Sequence, residues 1–358
     1  MTSPTSTIPG AHSHAEILSQ ADSWRGAVDA ITTSQSRIRA IFAQHDGPVV
    51  FVGCGSPYYL ELTCAAVYRK LTGNWAIALP ASEVLLNLEY ALPGNATPLV
   101  VAVSRSGETS ELIAACRLLK EQRGSKIMAI TVSTGTTLER LADVTVFIPN
   151  AVEISMAQTR SFSAMLLTTL AAVAVGADNQ ALWQELQTLP SQAKPLLDRI
   201  AQPIADLVGR GFERLFFLGS GLRHGLAHEG SLKMKEMSLT NSEPFHFLEF
   251  RHGPQSMVDQ TTLVVGLVSE HAATAETKVL REMLEIGGTV LAMGPTVGES
   301  PDPRYITVPV GDGLSEIAQL ALYMPVLQLL AYNQSIRKGL NCDNPRNLRA
   351  WIKLPDFR

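Results

Sequence analysis

Phe51-Val-Gly53-Cys-Gly55 closes an apolar run, Pro48–Val52, on a Gly-x-Gly turn, and the chain then passes into a helical pattern from about Tyr58 to Leu71. The same grammar returns as Phe217-Leu-Gly219-Ser-Gly221, a constant 166 positions further on. That offset also carries Leu60 onto Leu226, Leu71 onto Met237 and Glu83 onto Glu249. Any two β-turn-α units share a glycine near the turn. Agreement held over roughly thirty residues points instead to a duplicated unit.

The remaining runs fit that unit. Leu99–Val103 and Ile127–Val132 have strand length and are separated by a helix over Ser110–Gln122; Thr145–Ile148 makes another short strand. In the second half, Leu215–Leu218, Leu263–Val268 and Thr289–Met293 read as strands. Leu222–Leu239, Glu276–Ile286 and a long apolar Ser315–Leu330 read as helices. Short apolar strands alternating with helices predict parallel sheets covered on both faces. Ahead of them, the first dozen residues read as a disordered tail. The spacing of Ile17, Trp24, Val28, Ile31, Ile38 and Ile41 predicts two helices between Glu16 and about Gln44. The fold class is therefore α/β: two tandem doubly wound, flavodoxin-like parallel-sheet subdomains with flanking helical segments at both ends. Residues 1–45 hold the tail and N-terminal helices, and 46–178 the first subdomain. A helical linker interrupted by Pro190, Pro195 and Pro203 occupies 179–204. Residues 205–345 form the second subdomain and 346–358 a C-terminal tail closing the site.

At 358 residues, 46% apolar and 17% charged, the chain has the make-up of an ordinary globular protein. A net charge of −4 gives no basic field for nucleic acid or acidic lipid. The four cysteines (Cys54, Cys64, Cys116 and Cys342) form no C-x-x-C pair, which fits a reducing compartment. Met1–His14 has no apolar signal-peptide core, and the longest apolar stretch, Ala164–Val175, falls short of the roughly 20 residues of a membrane span. The expectation is a cytoplasmic protein with no membrane or nucleic-acid partner.

In doubly wound sheets ligands bind outside the carboxyl ends of the strands. After Leu99–Val103 comes Ser104-Arg105-Ser106-Gly107-Glu108-Thr109-Ser110, four hydroxyls and a glycine entering a helix. Hydroxyls beside the unpaired N–H groups of a helix start make an anion cradle. An N-cap role explains one hydroxyl but not the set. Neither Gly-x-Gly turn completes G-x-G-x-x-G, and no Walker lysine follows, so a dinucleotide or ATP site is not expected. The second-half counterpart, Val268-Ser-Glu270-His-Ala-Ala-Thr274, has fewer hydroxyls and an added acid, so phosphate binding is expected to be lost there.

Glu229, Lys233 and Glu236 share one helical face. Such spacing is ordinarily a solvated salt-bridge face. Here Leu226, Leu232, Met234, Met237 and Leu239 spread over the other faces, which predicts a buried helix whose charged stripe meets a polar cavity. Farther on, Phe245-His246-Phe-Leu-Glu249-Phe-Arg251-His252-Gly253-Pro254 mounts a histidine on a fixed loop, suited to acid–base work near neutral pH. His224 and His228 form an i,i+4 pair without a clear third ligand, which favours packing or hydrogen bonding over a metal.

Together these stretches resemble the sugar isomerase (SIS) domain family, in particular the isomerase half of glutamine–fructose-6-phosphate amidotransferase and stand-alone amino-sugar-phosphate deaminases of that fold. The resemblance runs from about Ile41 to Leu348. It also takes in Glu153-Ile-Ser-Met-Ala-Gln-Thr-Arg-Ser-Phe162 and Asn344-Pro-Arg-Asn347. It implies that Ser104, Arg105, Ser106 and Thr109 hold a sugar phosphate, helped by Ser56 and Gln158. It implies Glu236 as the base that moves a proton between C1 and C2, Lys233 as an amine able to form an imine with an open-chain ketose, and Glu229 as a supporting carboxylate. His252 would open the sugar ring from a neighbouring subunit, so a homodimer with shared sites is implied. No metal or organic cofactor is.

The sequence departs from that pattern in three places. It carries no N-terminal cysteine glutaminase segment, so the expectation is deamination or isomerisation rather than synthesis from glutamine. Pro57 replaces a phosphate-loop hydroxyl. Ala350 stands where the relative has a lysine, with Arg349 and Lys353 as nearby substitutes. The resulting expectation is an enzyme converting an amino-sugar phosphate such as glucosamine 6-phosphate to fructose 6-phosphate and ammonia. The alternatives are a fructosamine-6-phosphate deglycase and a non-catalytic sugar-phosphate sensor.

Overall fold

Among the described residues ten strands fall into two five-stranded sheets, and every pair within them is parallel. The computed structural model describes residues 8–349, which form two units. The first comprises Gln20–Glu153 and Arg160–Pro190. The second comprises residues 8–19, Ile154–Thr159 and Ser191–Leu348.

The first unit holds β1 (Val49–Gly53), β2 (Ala76–Pro80), β3 (Leu99–Ser104), β4 (Lys126–Thr131) and β5 (Val144–Phe147), in the order β2-β1-β3-β4-β5. β1 and β3 are buried at every position, as strands covered on both faces must be. The second sheet holds β6 (Arg214–Gly219), β7 (Asn241–Phe245), β8 (Thr262–Leu267), β9 (Thr289–Gly294) and β10 (Tyr305–Pro309), in the order β10-β9-β8-β6-β7. Counting strands within each unit, both sheets run 2-1-3-4-5. The duplication read from the 166-residue offset is thus present at the level of topology. Each sheet reverses direction of growth between its first and third strands, which opens a ligand crevice there.

Three of these strands, β2, β7 and β10, have no counterpart in the apolar runs of the sequence. All three are edge strands. An edge strand meets solvent along one side, so it need not be continuously apolar, and β7 even accommodates Pro244.

Helices α1 (Ala11–Leu18) and α2 (Gln20–Ala43) precede β1. The expected tail is shorter than a dozen residues, because α1 begins at Ala11. The backbone N–H groups of His12 and Ser13 donate to the Asp343 carboxylate at 3.1 and 2.7 Å, satisfying the helix start through tertiary contact. In the first unit, α3 (Ser56–Thr72), α4 (Ala81–Ala91), α5 (Ser110–Arg123) and the short α6 (Thr137–Leu141) alternate with the strands. Helix α7 (Arg160–Gly176) is buried from Ser161 to Val175 and packs against α2 and α3. Burial on all sides explains its apolar sequence. Among the described residues no helix is long and apolar enough to cross a membrane.

The prolines of the expected linker do not break it. After α8 (Gln180–Leu186), α9 runs unbroken from Leu189 to Gly209 with Pro195 and Pro203 inside. Pro190 sits in its first turn, where the missing N–H costs nothing. Farther along, the buried stripe Ala193, Leu196, Leu197, Ile200, Ile204, Leu207 and Val208 holds the helix by packing. In the second unit α10 (His224–Ser238) and α11 (Ala273–Glu285) follow β6 and β8. The long apolar helix expected at Ser315 begins instead as a 3-10 turn, Ala318–Leu322, and becomes α12 (Tyr323–Arg337). Residues 350–358, with Ala350 and Lys353, lie outside the described residues; Arg349 is exposed.

Candidate functional site

In the first unit Ser56, Ser104, Arg105, Ser106 and Thr109 all lie at the β1-to-α3 and β3-to-α5 turns, at the carboxyl ends of the two strands bordering its crevice. Gly55, at φ 63°, turns the chain into α3, and Ser56 opens that helix nearly buried. In the second loop the Ser104 hydroxyl accepts the Gly107 N–H at 3.0 Å, and the Ser106 hydroxyl accepts the Glu108 N–H at 3.2 Å. Gly107 is at φ 64°, and a Cβ there would stand 2.5 Å from Thr136 Oγ1. Only glycine fits this close left-handed turn.

The acid in the loop is turned aside. Glu108 accepts from the Thr137 N–H at 2.7 Å and from the Thr137 hydroxyl at 3.0 Å. Thr109 is the N-cap of α5 but makes no side-chain capping bond. The first turn of α5 therefore has the donor-rich, positive character that suits an anion. Arg105 adds a full charge. Its guanidinium lies 3.5 Å from Glu153, whose carboxylate also accepts the Ser161 hydroxyl and, at 3.1 Å, the Ser161 N–H at the start of α7. The Arg105 carbonyl accepts the Ser133 hydroxyl at 3.0 Å. Backbone and side chain of Arg105 are both held.

Cys54 lies between the two glycines of the turn but is no nucleophile. Burial, then the nearby Glu111 and Glu61 carboxyls, push its thiol up to about 12.

Gln158 belongs to the second unit, and its Oε1 is buried there without a hydrogen-bond partner. The segment around it is strapped down: the Glu16 carboxylate accepts the Ser155 hydroxyl and the Ile154 N–H at 2.5 Å, and Gln328 donates to the Thr159 carbonyl at 2.8 Å.

The second unit also carries the charged stripe, on α10. Glu229 and Lys233 have fully buried side chains, and Glu236 keeps 17% of its side chain exposed. Lys233 Nζ lies 3.5 Å from Glu229 Oε1 and hydrogen-bonds Glu236 Oε2. The helix is buried because Leu226, Met234 and Met237 are, as expected; Leu232 is half-buried. Leu239 departs from that pattern. It ends the helix at φ 50° and is exposed, so it carries no core face. Gly230 brings α10 close to the sheet, since a Cβ there would meet the Phe217 ring at 2.8 Å. One ammonium between two carboxylates, one of which still reaches solvent, can position a proton acceptor.

His252 is exposed, between the 3-10 turns Glu249–Arg251 and Pro254–Met257. Gly253 follows at φ 122°, a conformation that excludes other residues. Arg251 anchors the loop by a two-pronged pair with Glu282 at 2.6 and 2.8 Å.

His224 and His228 engage each other, Nε2 to Nε2 at 3.1 Å. His224 Nδ1 stands 3.2 Å from the Gly219 carbonyl, and the His246 ring stacks on His224 at 3.7 Å. Burial, with neighbouring histidines and Lys235, depresses His228 to about 4, so the pair is neutral near pH 7.

The loop after β8 shows how the second repeat differs. The Glu276 carboxylate accepts the Ser269 N–H at 2.6 Å and the Ser269 hydroxyl at 2.9 Å, so the loop's own donors are satisfied internally. Buried Arg223, on the loop after β6, is likewise committed to Glu316 at 2.7 Å, Tyr323 at 3.0 Å and Gln319 at 3.3 Å. The sequence located the hydroxyl-rich turn after β3 and the shared face of Glu229, Lys233 and Glu236 on α10. It missed Glu153 as the anchor of Arg105, and it missed Glu61, although the same 166-residue offset sets Glu61 against Ala227.

The comparisons with known proteins agree with this geometry. The model of the SIS domain matches residues 41–175 and 211–300, which contain all five strands of the first sheet and β6 to β9 of the second. A glutamine–fructose-6-phosphate aminotransferase (isomerizing) of Halobacterium salinarum is 32% identical over 324 residues, covering 85% of this chain and 51% of the relative. Its counterpart from Pyrobaculum aerophilum is 30% identical over 316 residues, with 85% and 51% covered. The chain thus spans about half the length of the curated relatives it matches. Among solved structures, the C-terminal domain of glucosamine-fructose-6-phosphate aminotransferase from Francisella tularensis superposes with a TM-score of 0.83 at 23% identity, covering 96% of this chain and all of that one. Glucosamine-6-phosphate deaminase from Thermotoga maritima gives 0.78 at 25% identity, with the same coverage. With a family model matching more than half of its residues and a relative 32% identical over 85% of its length, the chain belongs to the SIS domain family.

Proposed function

We propose that this protein is a sugar-phosphate isomerase of the SIS type that deaminates an amino-sugar phosphate, with glucosamine 6-phosphate giving fructose 6-phosphate and ammonia. The observation that carries the reading is the α10 stripe. Burying Glu229 and Lys233 completely is costly, and a fold that only needed a helix there would use apolar residues. Relatives at 30–32% identity named for isomerizing sugar-phosphate chemistry, and a structural neighbour at 25% named as a deaminase, support it.

In this reading the phosphate binds the hydroxyls of Ser56, Ser104, Ser106 and Thr109 and the first-turn N–H groups of α5, with Arg105 supplying charge and Gln158 helping. His252, contributed across a homodimer interface, takes the proton that opens the ring; its exposure suits that role. Glu236 removes the C2 proton of the open-chain aldose and returns it to C1, while a proton passes from the amine nitrogen to O1, so that C2 becomes an imine and C1 a hydroxymethyl group. Water adds to C2, ammonia leaves, and the ketose remains. Glu229 fixes Lys233, and Lys233 orients Glu236. An imine on Lys233 would first require it to pass its proton to a neighbouring carboxylate. Positioned acid and base suffice, in a cytoplasmic setting.

The test is an ammonia-release assay on purified protein with glucosamine 6-phosphate, with fructose 6-phosphate measured as co-product. Equal amounts of both establish the reaction. Silence with glucosamine 6-phosphate rules this deamination out, and release of an amine from fructosamine 6-phosphates would then favour a deglycase.

A further inference from the structure

Glu61 is completely buried on α3, directly behind the crevice of the first sheet. Its Oε1 accepts the Val103 N–H at 3.2 Å, while its Oε2 has no hydrogen-bond partner. The position is telling. The ladder between β1 and β3 ends at Val52 and Ala102, and Val103 is the next residue, immediately before Ser104. On the β1 side, a Cβ added to Gly53 would meet Glu61 Oε2 at 2.5 Å. One carboxyl group therefore touches the ends of both strands where they part, one residue from each phosphate-binding loop.

The second repeat supplies the comparison. Ala227 takes the equivalent place at the same offset, and its Cβ lies 3.1 Å from where a Cβ on Gly219 would be. That repeat has the same strand order, but its β8 loop is satisfied by Glu276. The carboxyl is present in the repeat with the hydroxyl cradle and absent from the one without it.

We propose that Glu61 is a positioning residue of the phosphate cradle, clamping the ends of β1 and β3 from below so that the Gly53–Ser56 and Ser104–Thr109 loops stand at a fixed separation. This rests on the reading of those loops as the phosphate site. Burial pushes the carboxyl well above the usual carboxylate range and so favours its neutral form. A neutral acid adds no negative charge beneath a bound phosphate. It accepts one N–H, and it holds the gap that an alanine would leave open. A loop shifted by a fraction of an ångström loses hydrogen bonds to a phosphate.

The experiment compares E61Q, which keeps an acceptor for the Val103 N–H, with E61M, which fills the same space without one. Calorimetric titration with glucosamine 6-phosphate, and separately with inorganic phosphate, is made on each full-length variant well below its melting temperature. E61M is expected to weaken binding about tenfold or more and to raise KM more than it lowers kcat, while E61Q stays within about threefold. Both variants melting early but binding like wild type would mean a purely structural role and would overturn the proposal. If Ser104→Ala also leaves binding unchanged, the reading of the cradle is what fails. The clamp is then judged by hydrogen exchange at the Val103 amide, expected to be faster in E61M and unchanged in E61Q. Equal protection in all three proteins overturns the clamp.

Discussion

Lys233 is shared by Glu229 and Glu236, its Nζ 3.5 Å from the first carboxylate and hydrogen-bonded to the second, so that a single buried ammonium answers two acids on one face of α10. Removing it leaves Glu229 charged with its side chain buried. Lys233→Met is expected to cost about 3–5 kcal/mol in urea unfolding. The double variant Glu229→Gln/Lys233→Met should recover part of that loss. Strict additivity of the two single changes would mean that the pair is not coupled.

The proposed phosphate-binding and proton-transfer roles fall on different residues, and kinetics can separate them. Ser104→Ala combined with Thr109→Ala is expected to raise KM first, since both hydroxyls stand at the cradle. Glu236→Gln is expected to lower kcat about 10²–10⁴-fold while sugar-phosphate binding survives. Turnover preserved in Glu236→Gln would remove the base from this account.

Gly107 tests the cradle's backbone. Alanine there must adopt φ 64° and push its Cβ to 2.5 Å from the Thr136 hydroxyl oxygen, which caps the next short helix by accepting the Glu139 N–H at 3.2 Å. Gly107→Ala is expected to cost about 1–3 kcal/mol and, with this loop as the proposed phosphate site, to raise KM. A variant with unchanged melting temperature and KM would show that the loop relaxes without consequence.

Stability should depend on pH in two opposed ways. Glu61 has a folded-state pKa above its ordinary 4.5 because it is buried, so its contribution is full below about 4.5 and is lost as pH rises through the folded value. Urea midpoints of wild type should fall relative to Glu61→Gln over that interval. His228 is depressed to about 4 by burial, so its contribution is present above 6.5 and lost as pH falls toward 4. Discounted for partial exposure, that loss is about 1–2 kcal/mol, and His228→Gln should abolish it. Parallel pH profiles for wild type and variant would count against either assignment.

Which parts of this were legible beforehand follows a physical pattern. Strands buried on both faces announce themselves as apolar runs, and β1, β3, β4, β6, β8 and β9 were all found that way. β2, β7 and β10 were not, because an edge strand answers to solvent on one side. Pro195 and Pro203 read as helix breakers, yet α9 continues through them on the strength of its buried stripe. Cradle and stripe were legible because hydroxyls at a strand-to-helix turn and charges at helical spacing are local patterns.

The amino-acid order alone settled the hydroxyl loop after β3 and the alignment of Glu229, Lys233 and Glu236, since both are local patterns, and the duplicated α/β unit, since a constant 166-residue offset is visible in the order itself. Tertiary structure alone decided that Glu153 holds Arg105, that Glu276 satisfies the second loop and that Glu61 lies under the parting strands. Those contacts join residues 48, 7 and 42 positions apart, and whether a carboxyl is a solvated charge or a buried partner is set by what the fold packs around it.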